Sequence, residues 1–331
     1  MKAGFLVGIY KMQVKETPKP TIADGEALIA ISACGICGSD IHDAARAQEP
    51  RIPGHEFSGT IAEIRGDALG FKVGEQVVLD PIMRCGQCSF CKQGKDHLCE
   101  KMAVIGCQTP GGFAEFAVVP NKNMRRIPAG LSPELATLAD PLAVTLHAAD
   151  IAGDIKGKNC LVYGAGTLGL FMIQVLKMRG AAKVAVVDIA QERLEVAKKL
   201  DPSFITVNPS TDPQYKAVEG INFELLIELA GGSAPTLPDA VNRGGKDCLI
   251  LLIAQRAPTE INCWNFMFGE KRLQGVFGQT AKNYKQAVEM LGKGEINGKA
   301  LLTHVFTLDK VQEAYDMARS PKSVKVVVKP K

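Results

Sequence analysis

The chain lacks the apolar run of roughly 18 residues that a membrane-spanning helix needs, and its longest hydrophobic stretches are short and broken by charge. It also lacks any lysine- and arginine-rich block. The formal net charge is only +4, with both signs scattered along 331 residues. That excludes the electrostatic footprint of a nucleic-acid arm or an anionic-membrane anchor. The N-terminus, MKAGFLVGIYKMQ, has no small-residue cleavage site and is interrupted by Lys11. It reads as a first strand and not as a secretory signal. Internal repeats and low-complexity linkers are absent too. What remains is the composition of an ordinary globular protein, 46% hydrophobic and 22% charged, long enough for about two domains.

Cysteine is the exception to this plainness. Of ten cysteines, six lie in two clusters: Cys34 with Cys37, and Cys85, Cys88, Cys91 and Cys99. A chain of this length buries a core without disulfides. Clustered thiols in a chain with no export signal point to metal in a reducing compartment, the cytoplasm.

The first half alternates short β-like runs (EALIAISA, GTIAEI, EQVVLDPI, FAEFAVVP) with Gly and Pro punctuation. This predicts a compact, mostly antiparallel β-domain. From Lys158 the pattern changes. NCLVYG, KVAVVD, FELLIELA and DCLILLIA read as strands, and TLGLFMIQVLKMRG (closed by Gly180) and QERLEVAKKL as helices. Fully apolar strands alternating with helices predict a doubly wound parallel sheet. Further on, Tyr284, Ala287, Val288 and Leu291 give helical spacing with Gly292 as its stop, and Leu308, Val311, Tyr315 and Ala318 mark a second helix before the last strand, VKVVVKP. The expected division is 1–145 with 282–331 as a catalytic domain and 146–281 as a dinucleotide-binding domain. The two late helices would pack on the first domain or at the seam.

Gly164-Ala165-Gly166-Thr167-Leu168-Gly169 matches GxGxxG where a strand gives way to a helix. Its glycines allow a tight turn, backbone approach to a pyrophosphate and close helix–strand packing, and the N–H groups at Thr167 and Leu168 face the phosphates. Asp188 ends the next strand, 19 residues after Gly169 (188 − 169). A carboxylate there accepts ribose hydroxyls and repels a 2′-phosphate. With Ile189 and not Arg beside it, NAD is favoured over NADP. Arg193 completes the expected cofactor-binding set.

Cys85-x2-Cys88-x2-Cys91-x7-Cys99 offers four thiolates within 15 residues, enough for a closed, structural zinc site. A second site must be assembled from distant residues. Cys37 and His55 supply two ligands, Asp140 in Ala139-Asp140-Pro141 is a candidate third, and Glu56 can exchange with water, leaving an open position for substrate oxygen. Taken singly each has a plainer reading. His55 can be a satisfied polar residue, Cys34 a packed thiol, and Asp140 a helix cap.

With these residues in place the chain resembles the zinc-containing medium-chain alcohol dehydrogenase family. The resemblance rests on CGICGSDIH, GHEFSG, CGQCSFCKQGKDHLC, GGFAEFAVV and YGAGTLGL with VVD, in the family's order over most of the chain. Within the family it is most similar to the polyol branch, the sorbitol-, galactitol-phosphate- and threonine-dehydrogenase-like enzymes. The resemblance implies a GroES-like, mostly-β catalytic domain beside a Rossmann domain. It implies two zinc ions per chain, with Cys37, His55, Glu56 and Asp140 at the catalytic ion and Cys85, Cys88, Cys91 and Cys99 at the structural one. Ser39 and His42 match the proton relay. Asp140 stands where polyol relatives carry Glu, and Arg65 where the GHE signature expects Gly. A homodimer or homotetramer is the expected assembly.

The expected activity is hydride transfer between NAD(H) and a secondary alcohol or carbonyl of a small polar substrate, a polyol or sugar-alcohol derivative. Alternatives are a generic alcohol dehydrogenase, an amino-alcohol (threonine-like) dehydrogenase, or a zinc-free quinone or enone reductase relative. The last lacks the ligands that CGSD and GHE supply here. A nucleotide-binding sensor that had lost the reaction would be expected to have lost Cys37, His55 or Ser39.

Overall fold

A computed structural model describes residues 1–46 and 49–331. The chain divides into two units, Met1–Ala143 with Thr280–Lys331, and Val144–Gln279. The second is thus an insertion in the first.

The first unit is built on a seven-stranded sheet. Its path runs Leu302–Thr307, Lys325–Lys329, Glu26–Gly35, Glu56–Ile64, Gln76–Leu79 and Met124–Arg126, with Phe116–Pro120 also pairing to Glu26–Gly35. All pairings are antiparallel except that between the two C-terminal strands. The sheet buries Ile29, Phe57, Ile61, Val77 and Leu79 together with Phe113 and Tyr315. The N-terminal stretch is a hairpin, not one strand. Lys2–Gly8 pairs with Lys11–Glu16, and Lys11 opens the second strand after a turn in which Tyr10 takes a positive φ of 52°.

Both late helices belong to this unit. Helix Ala281–Lys293 buries the predicted stripe of Tyr284, Ala287, Val288 and Leu291, but it runs through Gly292. Gly294, at φ 67°, is the residue that ends it, because a helix stops most readily on a left-handed glycine. Gly292 instead lets the helix approach Pro128, whose Cβ a side chain would meet at 2.5 Å. The second helix spans Val311–Arg319. Arg65 carries no strain. The turn places its left-handed conformation on Gly66 (φ 68°), and the Arg65 guanidinium donates to Ile22 O and Glu63.

The second unit holds a six-stranded, wholly parallel sheet in the order Ile205–Val207, Lys183–Val187, Asn159–Tyr163, Phe223–Glu228, Gly244–Leu252, Arg272–Gly275. Numbered within the unit this is 3-2-1-4-5-6, the doubly wound arrangement that binds dinucleotides where the order reverses. The reversal falls between Asn159–Tyr163 and Phe223–Glu228, and GAGTLG follows the first of these strands. Among the described residues no helix is long and apolar enough to cross a membrane.

Candidate functional site

In the first unit, Cys37, His55 and Glu56 offer ligand atoms that all lie within 4.8 Å of one another. Sheet register explains how residues so far apart in chain converge. Gly35, the last residue of Glu26–Gly35, pairs with Glu56, the first of Glu56–Ile64. Cys37 follows at the N-cap of the helix Gly38–Ala44. Gly35 must lack a side chain, because a Cβ there would sit 2.3 Å from Glu56 Oε2.

Two partners that the sequence reading missed hold these donors. The Asp40 carboxylate accepts from the Cys37 backbone N–H at 2.9 Å through Oδ2, and its Oδ1 lies 3.5 Å from His55 Nδ1. Burial opposes a charge on His55, but Asp40 and Cys37 outweigh it and raise its pKa well above the usual range. A carboxylate behind the second ring nitrogen is the common way a ligating histidine is oriented. Lys325, 2% exposed, donates to Glu56 Oε2 at 2.6 Å and to Ile36 O at 3.1 Å. Burial opposes its charge too, and Glu56, Cys37 and Asp140 together more than offset that, so its pKa is raised. The signal for Asp40 was present, an acidic residue three after an N-cap. Lys325, inside VKVVVK, gave none.

Asp140 stands outside the 4.8 Å set. It is buried in the first turn of the helix Ala139–Ala152, where a carboxylate favours the positive end of the dipole. Its side chain is one methylene shorter than glutamate. Burial pushes its pKa up to about 7, with His55 acting against the rise and Glu56 and Asp80 reinforcing it. Ser39 and His42 are both exposed on Gly38–Ala44, three residues apart and so on one helix face.

The site suits a divalent ion. Glu56 Oε1 is buried with no hydrogen-bond partner among the described residues, a costly state unless a cation or water meets it. One thiol, one imidazole and one carboxylate are a zinc donor set that leaves a position open.

The four-cysteine lobe forms a second cluster. Its sulfurs lie within 4.8 Å of one another, with Cys85 and Cys91 Sγ at 4.0 Å and no disulfide. The Gln87 and Cys88 N–H groups donate to Cys85 and bring its pKa down to about 6. Burial and Cys88 push Cys91 up to about 12. Four converging sulfurs with no disulfide fit a closed tetrahedral zinc site.

In the second unit Gly164 takes φ 97°, and a Cβ on Gly169 would fall 1.8 Å from Gly164 O. The turn and the close packing therefore both require glycine. Helix Thr167–Met178, which carries Leu168, begins behind Gly166, an N-cap with no side chain to occupy its first turn. Asp188 Oδ2 accepts from Ala165 N at 2.7 Å and Oδ1 from Ala190 N at 2.8 Å. Each oxygen keeps a second lone pair for a ligand hydroxyl. Arg193 is half-buried in the first turn of Gln191–Leu200, and Ile189 is 74% exposed beside Asp188.

Residues 23–129 match the alcohol dehydrogenase GroES-like domain and residues 167–293 the zinc-binding dehydrogenase domain. An L-threonine 3-dehydrogenase of Pyrococcus horikoshii is 32% identical over 96% of this chain and 95% of its own length. The galactitol-1-phosphate dehydrogenase structure from Escherichia coli is 28% identical, covers 100% of both chains and superposes with a TM-score of 0.89. An alcohol dehydrogenase structure from Escherichia coli CFT073, complexed with NADH, is 30% identical over 99% of both chains, also at 0.89. With both domains matched in order and a relative this similar over nearly its whole length, the chain belongs to the zinc-binding dehydrogenases of the alcohol dehydrogenase family.

Proposed function

We propose that this protein oxidises, with NAD, a secondary alcohol whose neighbouring carbon carries a second polar group, a polyol or sugar-alcohol derivative. The carrying observation is the Cys37–His55–Glu56 cluster. A set with one thiolate, one imidazole and one carboxylate is harder than one with two thiolates, and adjacent hydroxyl oxygens suit it. The galactitol-1-phosphate dehydrogenase supports the polyol reading. The threonine dehydrogenases support a second, an amino alcohol, in which nitrogen stands where the polyol has its second oxygen.

On this reading Cys37, His55 and Glu56 hold one zinc, with Asp140 beside them, and Cys85, Cys88, Cys91 and Cys99 hold another. When bound, the first ion supplies a Lewis acid that polarises the substrate oxygen, and the dinucleotide supplies the hydride acceptor. The chain's own residues do the rest. Asp40 fixes the His55 ring and the backbone of Cys37. Ser39 takes the hydroxyl proton, and His42, on the same helix face, releases it to water. Gly164, Gly166, Thr167, Leu168 and Gly169 cradle the pyrophosphate, Asp188 takes the ribose hydroxyls, and Arg193 flanks the adenosine end.

The assembly is a homodimer or a tetramer of such dimers. Strand Arg272–Gly275 ends its sheet, all four residues are exposed, and Trp264, Met267, Phe268 and Phe277 lie exposed nearby in sequence. An open edge beside apolar surface is what a second copy covers. Free thiolates at two zinc sites suit the reducing cytoplasm.

The test compares kcat/KM for a vicinal diol or hexitol, a matched mono-alcohol and L-threonine. We expect the diol or hexitol to exceed the mono-alcohol by orders of magnitude, as sites built to bind a substrate hydroxyl do. Equal values, or a preference for a long apolar alcohol, would reject it. Preference for threonine selects the amino-alcohol reading.

A further inference from the structure

Among the described residues, Lys325 is the one cation buried against the ligand cluster. It reaches that cluster from a strand that the chain makes 269 residues after Glu56. Its two bonds are placed unevenly. One goes to Ile36 O, the carbonyl immediately before Cys37, and the other to Glu56 Oε2, while Glu56 Oε1 has no hydrogen-bond partner among the described residues. The backbone fixes the arrangement, because Ile36 N donates to Val326 O at 2.9 Å and Val328 pairs with Cys34. Gly35 makes room on the remaining side, where a Cβ would fall 2.3 Å from Glu56 Oε2. Glu56 therefore has one oxygen committed and one to offer.

We propose that Lys325 is a positioning residue that restricts Glu56 to single-oxygen ligation and cancels its charge, so that the ion at Cys37 and His55 stays electrophilic. This rests on the metal reading of that cluster. With Lys325 in place the formal charge of Cys37 thiolate, Glu56 and Lys325 sums to −1 against a dication. Without it the sum is −2, and both carboxylate oxygens become available. A more negative, bidentate site holds a dication more tightly, and it also polarises substrate oxygen less.

The sign of the metal effect separates this from a merely structural role. A lysine that only holds the fold together would, when removed, loosen the metal. Here Lys325→Met should lose its catalytic zinc to a chelator such as dipicolinate about tenfold more slowly, the scale on which residues behind metal ligands act, while kcat falls. Lys325→Arg should restore both toward wild type. Cys37→Ser identifies which phase of zinc release belongs to this site. In a Glu56→Gln background, Lys325→Met should not change the release rate, because the carboxylate through which Lys325 acts is gone. That double variant also leaves no unpaired buried charge, so it serves if Lys325→Met alone does not fold. Zinc lost at the same rate or faster in Lys325→Met, or an undiminished effect in the Glu56→Gln background, would overturn the proposal. If wild-type protein holds zinc only at the four-cysteine lobe, the metal reading itself falls. Two ions per chain with unchanged release rates would sink the Lys325 inference alone.

Discussion

At the scale of single residues, Asp140 gives the clearest pH signature. Its folded pKa of about 7 lies above the ordinary 3.8, so the fold prefers the neutral acid. Its contribution is complete below the ordinary value and is lost as pH rises through 7. Metal-free Asp140→Asn should therefore gain on wild type by about 1.4 kcal/mol per pH unit across that window. Urea midpoints at several pH values measure it, and a difference that does not vary with pH would show the carboxyl to be ionised throughout. Asp188 makes a second prediction. Its oxygens also accept from Ala165 N and Ala190 N, and asparagine, whose carbonyl oxygen can still take one of these N–H groups, is a gentler replacement than glycine, which can take neither. Asp188→Asn with Ile189→Arg should raise the ratio of NADP to NAD efficiency by about tenfold or more, roughly 1.4 kcal/mol. A wild type that already favours NADP would remove the basis for it. These two carboxylates show what sequence legibility meant here. Cys37, His55 and Glu56 stood out by residue type, and their convergence within 4.8 Å follows from strand register. The Asp140 carboxylate could be guessed as near but not placed, since one methylene of reach is invisible in sequence. Lys325 was illegible because nothing in VKVVVK shows which lysine turns inward to a carboxylate.

Elements were legible where hydrophobic period and turn residues agreed, as in the strands Asn159–Tyr163 and Phe223–Glu228 and the helix Gln191–Leu200. They were less so where one residue type serves two purposes. Gly292 and Gly294 are two residues apart, and only packing against Pro128 tells the helix-internal glycine from the cap. The N-terminal hairpin was hidden because Tyr10, not glycine, takes the left-handed turn position. The edge strand Arg272–Gly275 makes a prediction at this scale. Trp264 and Phe268 stack at 6.1 Å between ring centroids on the exposed helix Cys263–Phe268. If a second copy covers this face, wild type should run as a dimer or tetramer by light scattering. Trp264→Glu with Phe277→Asp should then yield monomer of near-native thermal stability. A wild-type monomer would discard the interface.

For the whole molecule, the expectation is two zinc ions per chain by metal analysis of protein purified without chelator. Cys85→Ser should lower both the count and the melting temperature, because a closed four-thiolate site contributes folding energy outright. Normal folding with a wild-type count near one would mean that the lobe holds no metal. The order in which the chain is made adds a further consequence. The first unit is finished only by Leu302–Thr307 and Lys325–Lys329, which reach its sheet after the entire second unit has been made. At about 5–20 residues per second, the 269 residues between Glu56 and Lys325 take on the order of 15–50 s to emerge. During that interval the nascent chain presents Cys37, His55 and a Glu56 with no counter-charge. On the proposal made for Lys325, the cluster reaches its working charge only when the strand Lys325–Lys329 joins the sheet, among the last segments of the chain to be made.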